Sequence, residues 1–224
     1  MDTYIEKMVK NKLFRNLTEQ DFKILLEPGT YILGQYMKNA IIVQENDPCR
    51  SIGFILEGKL SVQQLSHSGE MIKIQTFRQG NCFGQALLYS PEPVYPYTLI
   101  ASSRTSILYI LFSQVEALLK MSFVFNRNYI AFLSDRMNMF QNKIRILSQN
   151  DVRSRLILYL FEESGKCGNL SFKLPYSKTE IADMIGVARP SVSRELRHMQ
   201  EDGLLELDHD MVTIKKPEVF SLQH

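Results

Sequence analysis

Three alternating patterns of apolar and polar positions divide the chain. Residues 4 to 26 predict short helices: Thr18 opens the second through T-E-Q-D, Phe22, Leu25 and Leu26 face inward, and Pro28-Gly29 stops the run. From Thr30 to about Ile110 the period shortens. The β-branched and aromatic runs TYILGQYM, AIIVQ, SIGFILE, KLSVQQLS, MIKIQTF, YTLIA and SILYIL are separated by Asn46-Asp47-Pro48, Gly58, Ser68-Gly69 and Gly80-Asn81. Many short strands at roughly ten-residue spacing predict a sandwich or barrel of jelly-roll type.

From Phe112 to Ser148 the helical period returns. Ile130, Leu133, Met137, Phe140, Ile144 and Leu147 recur at steps of three and four, a heptad seam on a helix from about Asn126 to Gln149. Such a seam pairs with a second copy or lies on the chain's own β-roll. Asp151 can cap the next helix, DVRSRLILYLFEES, which Gly165 closes, and Leu170 to Leu174 follows as a short strand.

The stretch from Pro175 to Leu207 predicts two short helices joined through a glycine. Ser177 and Glu180 form an S-x-x-E capping box, and the helix runs through Ile181, Ala182 and Ile185 to Gly186. A second helix begins around Pro190, where a ring-fixed φ suits the first turn, with Val192, Leu196 and Met199 on its buried side. Arg189, Ser191, Ser193, Arg194 and Arg197 fall on other faces. Small Ala182, Gly186 at the bend and apolar Val192 between the helices suit a helix-turn-helix; a plain helical hairpin with solvated arginines is the alternative. Gly203 ends the second helix, and LLEL-DHD-MVTI predicts a two-stranded wing whose tip, Asp208-His209-Asp210, is acidic. The expected fold class is α+β: an N-terminal jelly-roll-like β-roll, a long helix whose seam suits dimerisation and a C-terminal winged helix-turn-helix. The expected domains are residues 1–112, 113–149 and 150–224.

Charge tempers the nucleic-acid reading. The 224 residues carry a net charge of +2, and residues 151–224 hold 10 basic and 12 acidic side chains. Any electrostatic footprint on DNA must then be local, on the face of Lys178, Arg189, Arg194 and Arg197. Cys49, Cys82 and Cys167 are scattered with no C-x-x-C pair, so neither a disulfide framework nor a metal site is indicated. With a charged N-terminus and no run of 18 apolar residues, a cytoplasmic protein without a membrane partner is expected.

The order ENDP, SIGFILEGKLSV, a hairpin through His67-Ser68-Gly69-Glu70, then FRQGNCFGQALL resembles the cyclic-nucleotide-binding β-roll. With a helix-turn-helix at its far end, the chain resembles the Crp/Fnr family of bacterial transcription regulators over about residues 20 to 215. The resemblance implies double-stranded DNA, a second copy of the chain and RNA polymerase as partners. It places a candidate effector pocket at Phe83, Gly84, Gln85, Ala86 and Tyr95, with Arg136 of the long helix.

That pocket departs from the cyclic-nucleotide pattern, in which F-G-E supplies a carboxylate to the ribose and an arginine ten residues later pairs with the phosphate. Here Phe83-Gly84 is kept, but Gln85 stands at the carboxylate and Tyr95 at the arginine, inside a segment with three prolines. A phosphate buried without a cation carries a heavy desolvation cost, so cyclic AMP is not the expected effector. Another small molecule, or none, is expected, and a structural β-roll with a plain apolar interior is the alternative. Residues 1–48 contain no cysteine, against a family-type iron–sulfur cluster, and His67, His198, His209 and His224 offer no persuasive haem ligand.

For the reader, the resemblance makes Arg189 the arginine that opens the reading helix and Arg194 the one five residues on. Both suit bidentate contact with guanine. Ser191 and Ser193 can donate to phosphates or bases, while Lys178, Thr179 and Arg197 suit backbone contacts. Many relatives carry between the arginines a glutamate that reads a C·G pair, where this chain has Pro190. No glycine-rich phosphate loop, H-E-x-x-H or G-x-S-x-G is present, so an enzyme is not expected. A cyclic-nucleotide signalling module would want the arginine that Tyr95 replaces.

Overall fold

The computed structural model describes residues 2–65 and 71–221. The chain divides into two compact units, Met1–Ser134 and Asp135–His224.

In the first unit, helices α1 (Asp2–Met8) and α2 (Glu19–Leu25) flank a 3-10 turn at Lys12–Phe14. Thr18 caps α2 reciprocally: its hydroxyl accepts from the Asp21 N–H, while the Asp21 carboxylate accepts from the Thr18 N–H. The strands follow the predicted runs as β1 (Tyr31–Tyr36), β2 (Ile41–Val43), β3 (Ser51–Glu57), β4 (Lys59–Leu65) and β5 (Met71–Arg78). After β6 (Cys82–Phe83) come β7 (Thr98–Ala101) and β8 (Thr105–Leu111). They form two antiparallel four-stranded sheets, ordered β1-β8-β3-β6 and β2-β7-β4-β5. Strand β6 escapes sequence reading because two residues cannot establish an alternation. The predicted hairpin tip at His67-Ser68-Gly69-Glu70 lies outside the described residues.

Phe54 and Ile52 of β3, Leu60 of β4, Leu99 of β7 and Ile107 and Leu108 of β8 are fully buried inside the roll. Phe14 meets Phe54 edge-on at 5.9 Å between ring centroids and stacks on Phe125, closing the core with aromatic surface.

Two helices, α3 (Phe112–Met121) and α4 (Phe123–Leu147), replace the single one expected from about Asn126. The earlier start has a local cause: the Ser122 hydroxyl accepts from the Phe125 N–H and caps the first turn of α4, a cap without the acidic third residue that makes such starts legible. Tyr129 of α4 is buried and donates its hydroxyl to the Gln85 carbonyl. The division between the two units falls inside α4.

In the second unit, Asp151 caps α5 (Val152–Cys167) by accepting from the Ser154 N–H. That hydrogen bond holds the Asp151 carboxyl below its ordinary range. Gly165 does not end this helix as expected. Gly168 does, at φ +63°, with the Asn169 N–H reaching back to the Ser164 carbonyl; Lys166 and Cys167 simply prolong the helical turn that Gly165 tolerates. Strand β9 (Ser171–Lys173) is shorter than the predicted Leu170–Leu174. Helices α6 (Lys178–Ile185) and α7 (Arg189–Glu201), strands β10 (Leu205–Asp208) and β11 (Met211–Ile214) and helix α8 (Pro217–Ser221) complete the unit. The wing is three-stranded, ordered β10-β11-β9. No helix among the described residues is long and apolar enough to cross a membrane.

Candidate nucleic-acid interface

Helix α6 begins as its sequence dictates. The Ser177 hydroxyl accepts from the Glu180 N–H at 3.3 Å, and the Glu180 carboxylate accepts from the Ser177 N–H at 2.9 Å. The helix ends at Gly186, whose φ of +68° turns the chain towards α7. Proline at the second position of α7 costs no helical hydrogen bond there.

Val192, Leu196 and Met199 of α7 are fully buried beside Ile181, Ala182 and Ile185 of α6 in one core. At 3.6 residues per turn, Pro190, Arg194, Arg197 and Glu201 recur on the opposite side, with Arg189 and Ser193 on one flank and Ser191 and His198 on the other. Arg189, Pro190, Arg194 and Arg197 are exposed, while Ser191 and Ser193 are half-buried. At the start of α6, Lys178 is half-buried and Thr179 exposed.

Among the described residues the side chains of Arg189 and Arg194 have no hydrogen-bond or ion-pair partner. Arg197 differs, lying 3.4 Å from the Glu201 carboxylate. Helix α7 is held to α5 by Arg153, which binds Glu195 at 2.5 Å and Asp202 at 2.7 Å. Those two carboxylates bracket the C-terminal half of α7 and leave its N-terminal arginines outside the pairing. At the wing tip Asp208, His209 and Asp210 are all exposed, as expected.

The seam of α4 is exposed throughout: Ile130, Leu133, Met137, Phe140, Ile144 and Leu147 are 38–68% accessible, Ile144 most of all. Ile130 and Leu133, which share the first unit with the β-roll, are 59% and 41% accessible there.

Of the candidate effector residues, Phe83, Gln85 and Tyr95 are buried and near one another in the first unit, with Gly84 between them in the chain. The Phe83 ring occupies the space over Gly53, where a Cβ would sit 2.1 Å from it. Phe83 also packs on Tyr95 and Tyr109, and the Tyr95 hydroxyl meets the Cys49 thiol, with burial pushing that phenol up. Gln85 donates to the Cys82 carbonyl, but its Oε1 is buried without a partner. Ala86, next in the chain, is exposed, and Arg136 belongs to the second unit. Among the described residues no cluster of histidine, cysteine and carboxylate side chains could hold a metal ion.

A β-roll, a long helix with an exposed apolar seam and a winged helix-turn-helix with free arginines define a class, the DNA-binding regulator with an attached sensor-type domain. Residues 33–122 match the cyclic nucleotide-binding domain and residues 154–220 the Crp-like helix-turn-helix domain, together more than two thirds of the sequence. The chain belongs to the Crp/Fnr family of DNA-binding transcription regulators, a family of regulators rather than enzymes. It is 25% identical to the global nitrogen regulator of Nostoc sp., over 86% of this chain and 89% of that one. To the probable transcriptional regulator flp of Lacticaseibacillus casei it is 26% identical, over 92% of each. In fold it is similar to a CooA variant from Carboxydothermus hydrogenoformans, with a TM-score of 0.60, 19% identity and coverage of 96% of this chain and 100% of that one. The catabolite activator protein of Thermus thermophilus gives a TM-score of 0.56 at 20% identity, covering 95% and 98%.

Proposed function

We propose that the protein is a homodimer, paired through the seam of α4, that reads a palindromic DNA site with the N-terminal half of α7. The observation that carries this reading is the outward stripe of α7. Arg194 lies on it and Arg189 beside it, both exposed and without partners, opposite a face locked into the core by Val192, Leu196 and Met199. A guanidinium fork not already spent on a carboxylate is free to meet guanine O6 and N7. Ser191 and Ser193 line the flanks for phosphate or base contact. Lys178, Thr179 and Arg197 would set register on the backbone. Arg197 has to exchange Glu201 for phosphate, which favours a weaker, salt-sensitive role.

Division of labour within the reader can be tested by titrating DNA. Arg194→Ala should cost roughly 1–3 kcal/mol on the preferred site and relax the choice of base at one position in each half-site. Lys178→Ala should weaken binding to all sequences about equally and flatten the dependence of affinity on salt. Equal loss of base discrimination from both substitutions would refute these roles.

For the β-roll, the position of the cyclic-nucleotide arginine is taken by a buried, uncharged Tyr95. The effector of the roll is then a small molecule other than cyclic AMP, and the unpartnered Gln85 Oε1 favours one that carries a donor. A second reading, DNA binding that needs no ligand, is favoured by the Phe83 ring filling the space over Gly53.

A further inference from the structure

Arg155, on the first turn of α5, is the arginine whose chemistry the reader does not use. Its guanidinium donates only to backbone carbonyls of the second unit: Nε to Gln149 at 3.0 Å, Nη2 to Leu147 at 3.1 Å, and Nη1 to Ile185 at 3.0 Å and Gly186 at 3.4 Å. Leu147 is the last residue of α4, Ile185 the last of α6 and Gly186 its cap. The terminal carbonyls of a helix lack intrahelical partners and carry its negative pole. One fixed cation therefore satisfies the ends of two helices at once. The Leu147 side chain reinforces the join, since a Cβ on Gly186 would lie 2.7 Å from Leu147 Cδ2. The bend of the helix-turn-helix thus rests directly on the end of the seam helix.

We infer that Arg155 is a positioning residue: by tying the C-terminal ends of α4 and α6 together, it sets the angle at which α7 leaves the seam and hence the half-site spacing the protein accepts. The inference rests on the dimeric reading, because only two readers held on a common seam have a spacing to set. Lysine keeps the charge but not the planar fork. Its ammonium is a compact point and cannot hold two helix ends on opposite sides of one group.

The test uses the full chain with Arg155→Lys, its fold checked by circular dichroism, on palindromes that share the half-sites chosen by the wild type and differ in central spacing by single base pairs. The wild type should prefer its best spacing by about tenfold or more, and Arg155→Lys should narrow this to about twofold, leaving base preference within each half-site unchanged. If binding to every spacing weakens in parallel while the melting temperature falls, Arg155 merely stabilises the unit and the inference is overturned. Should Arg155→Lys not fold, Arg155→Gln faces the same assay with the same expectation. Unfolding of both would also overturn it, since Arg155 would then be a requirement of the fold rather than of reader placement. A wild type indifferent to paired half-sites would instead overturn the dimeric reading itself, before any variant is compared.

Discussion

Aspartate at Phe140 and Ile144 should convert the dimer to a monomer and lower affinity for a palindromic site by roughly two to four orders of magnitude. The loss is large because a dimer engages its second half-site at high effective concentration and a monomer does not. Both side chains are more than 60% exposed in the single chain, so the substitutions remove no core contact and cost the fold little. Within a paired seam, however, each carboxylate would be buried without a cation, at a cost of several kcal/mol. Sedimentation should show the halved mass, and a gel shift on an isolated half-site should show that reading itself survives. A variant that stays dimeric and binds the palindrome unchanged would remove α4 from the interface.

The second large effect is a change of preference rather than a loss. Pro190→Glu should move the preferred half-site towards one with a C·G pair, because a carboxylate there can accept from the cytosine amino group and proline cannot. The old preference falls as the new one rises, so relative affinity for the two sites changes by the sum, with each side worth roughly 1–3 kcal/mol. The substitution suits the helix: residue 190 is exposed on the first turn of α7, where an acidic side chain is favoured by the helix dipole, and Arg194 stands one turn on. Competition between the two half-sites measures the change directly. An unaltered preference would place residue 190 out of reach of the bases.

What the sequence made legible follows from how local each signal is. The reader is written in near-neighbour chemistry: Ser177 and Glu180 start α6, Gly186 ends it, and Val192, Leu196 and Met199 mark the buried side of α7. The exposed seam of α4 was equally readable because its period is local. Signals that depend on distant partners were not. Gly165 and Gly168 are both plausible helix ends on paper, and only the left-handed backbone at Gly168 separates them. Motif position does not tell that Ala86 is exposed, and nothing local tells that the Phe83 ring lies over Gly53. Arg155 was invisible for a related reason: its four acceptors are backbone carbonyls, which leave no trace in side-chain spacing.

These features bear on one another in the reader. With residues 151–224 carrying 10 basic and 12 acidic side chains, recognition has to rest on placement more than on bulk charge. Arg153 holds the C-terminal half of α7 through Glu195 and Asp202, so the N-terminal arginines project from a fixed helix. Preorganised groups lose less side-chain freedom on binding, which is how a few contacts can discriminate between sequences.

The most direct test is selection of binding sites from random double-stranded DNA by the full chain at near-physiological salt. The account predicts enrichment of a palindrome with half-sites about one helical turn apart, each containing a guanine contact for an arginine and a core that differs from the usual family core at the position facing Pro190. Recovery of the unmodified family core, or of single unpaired half-sites, would contradict it.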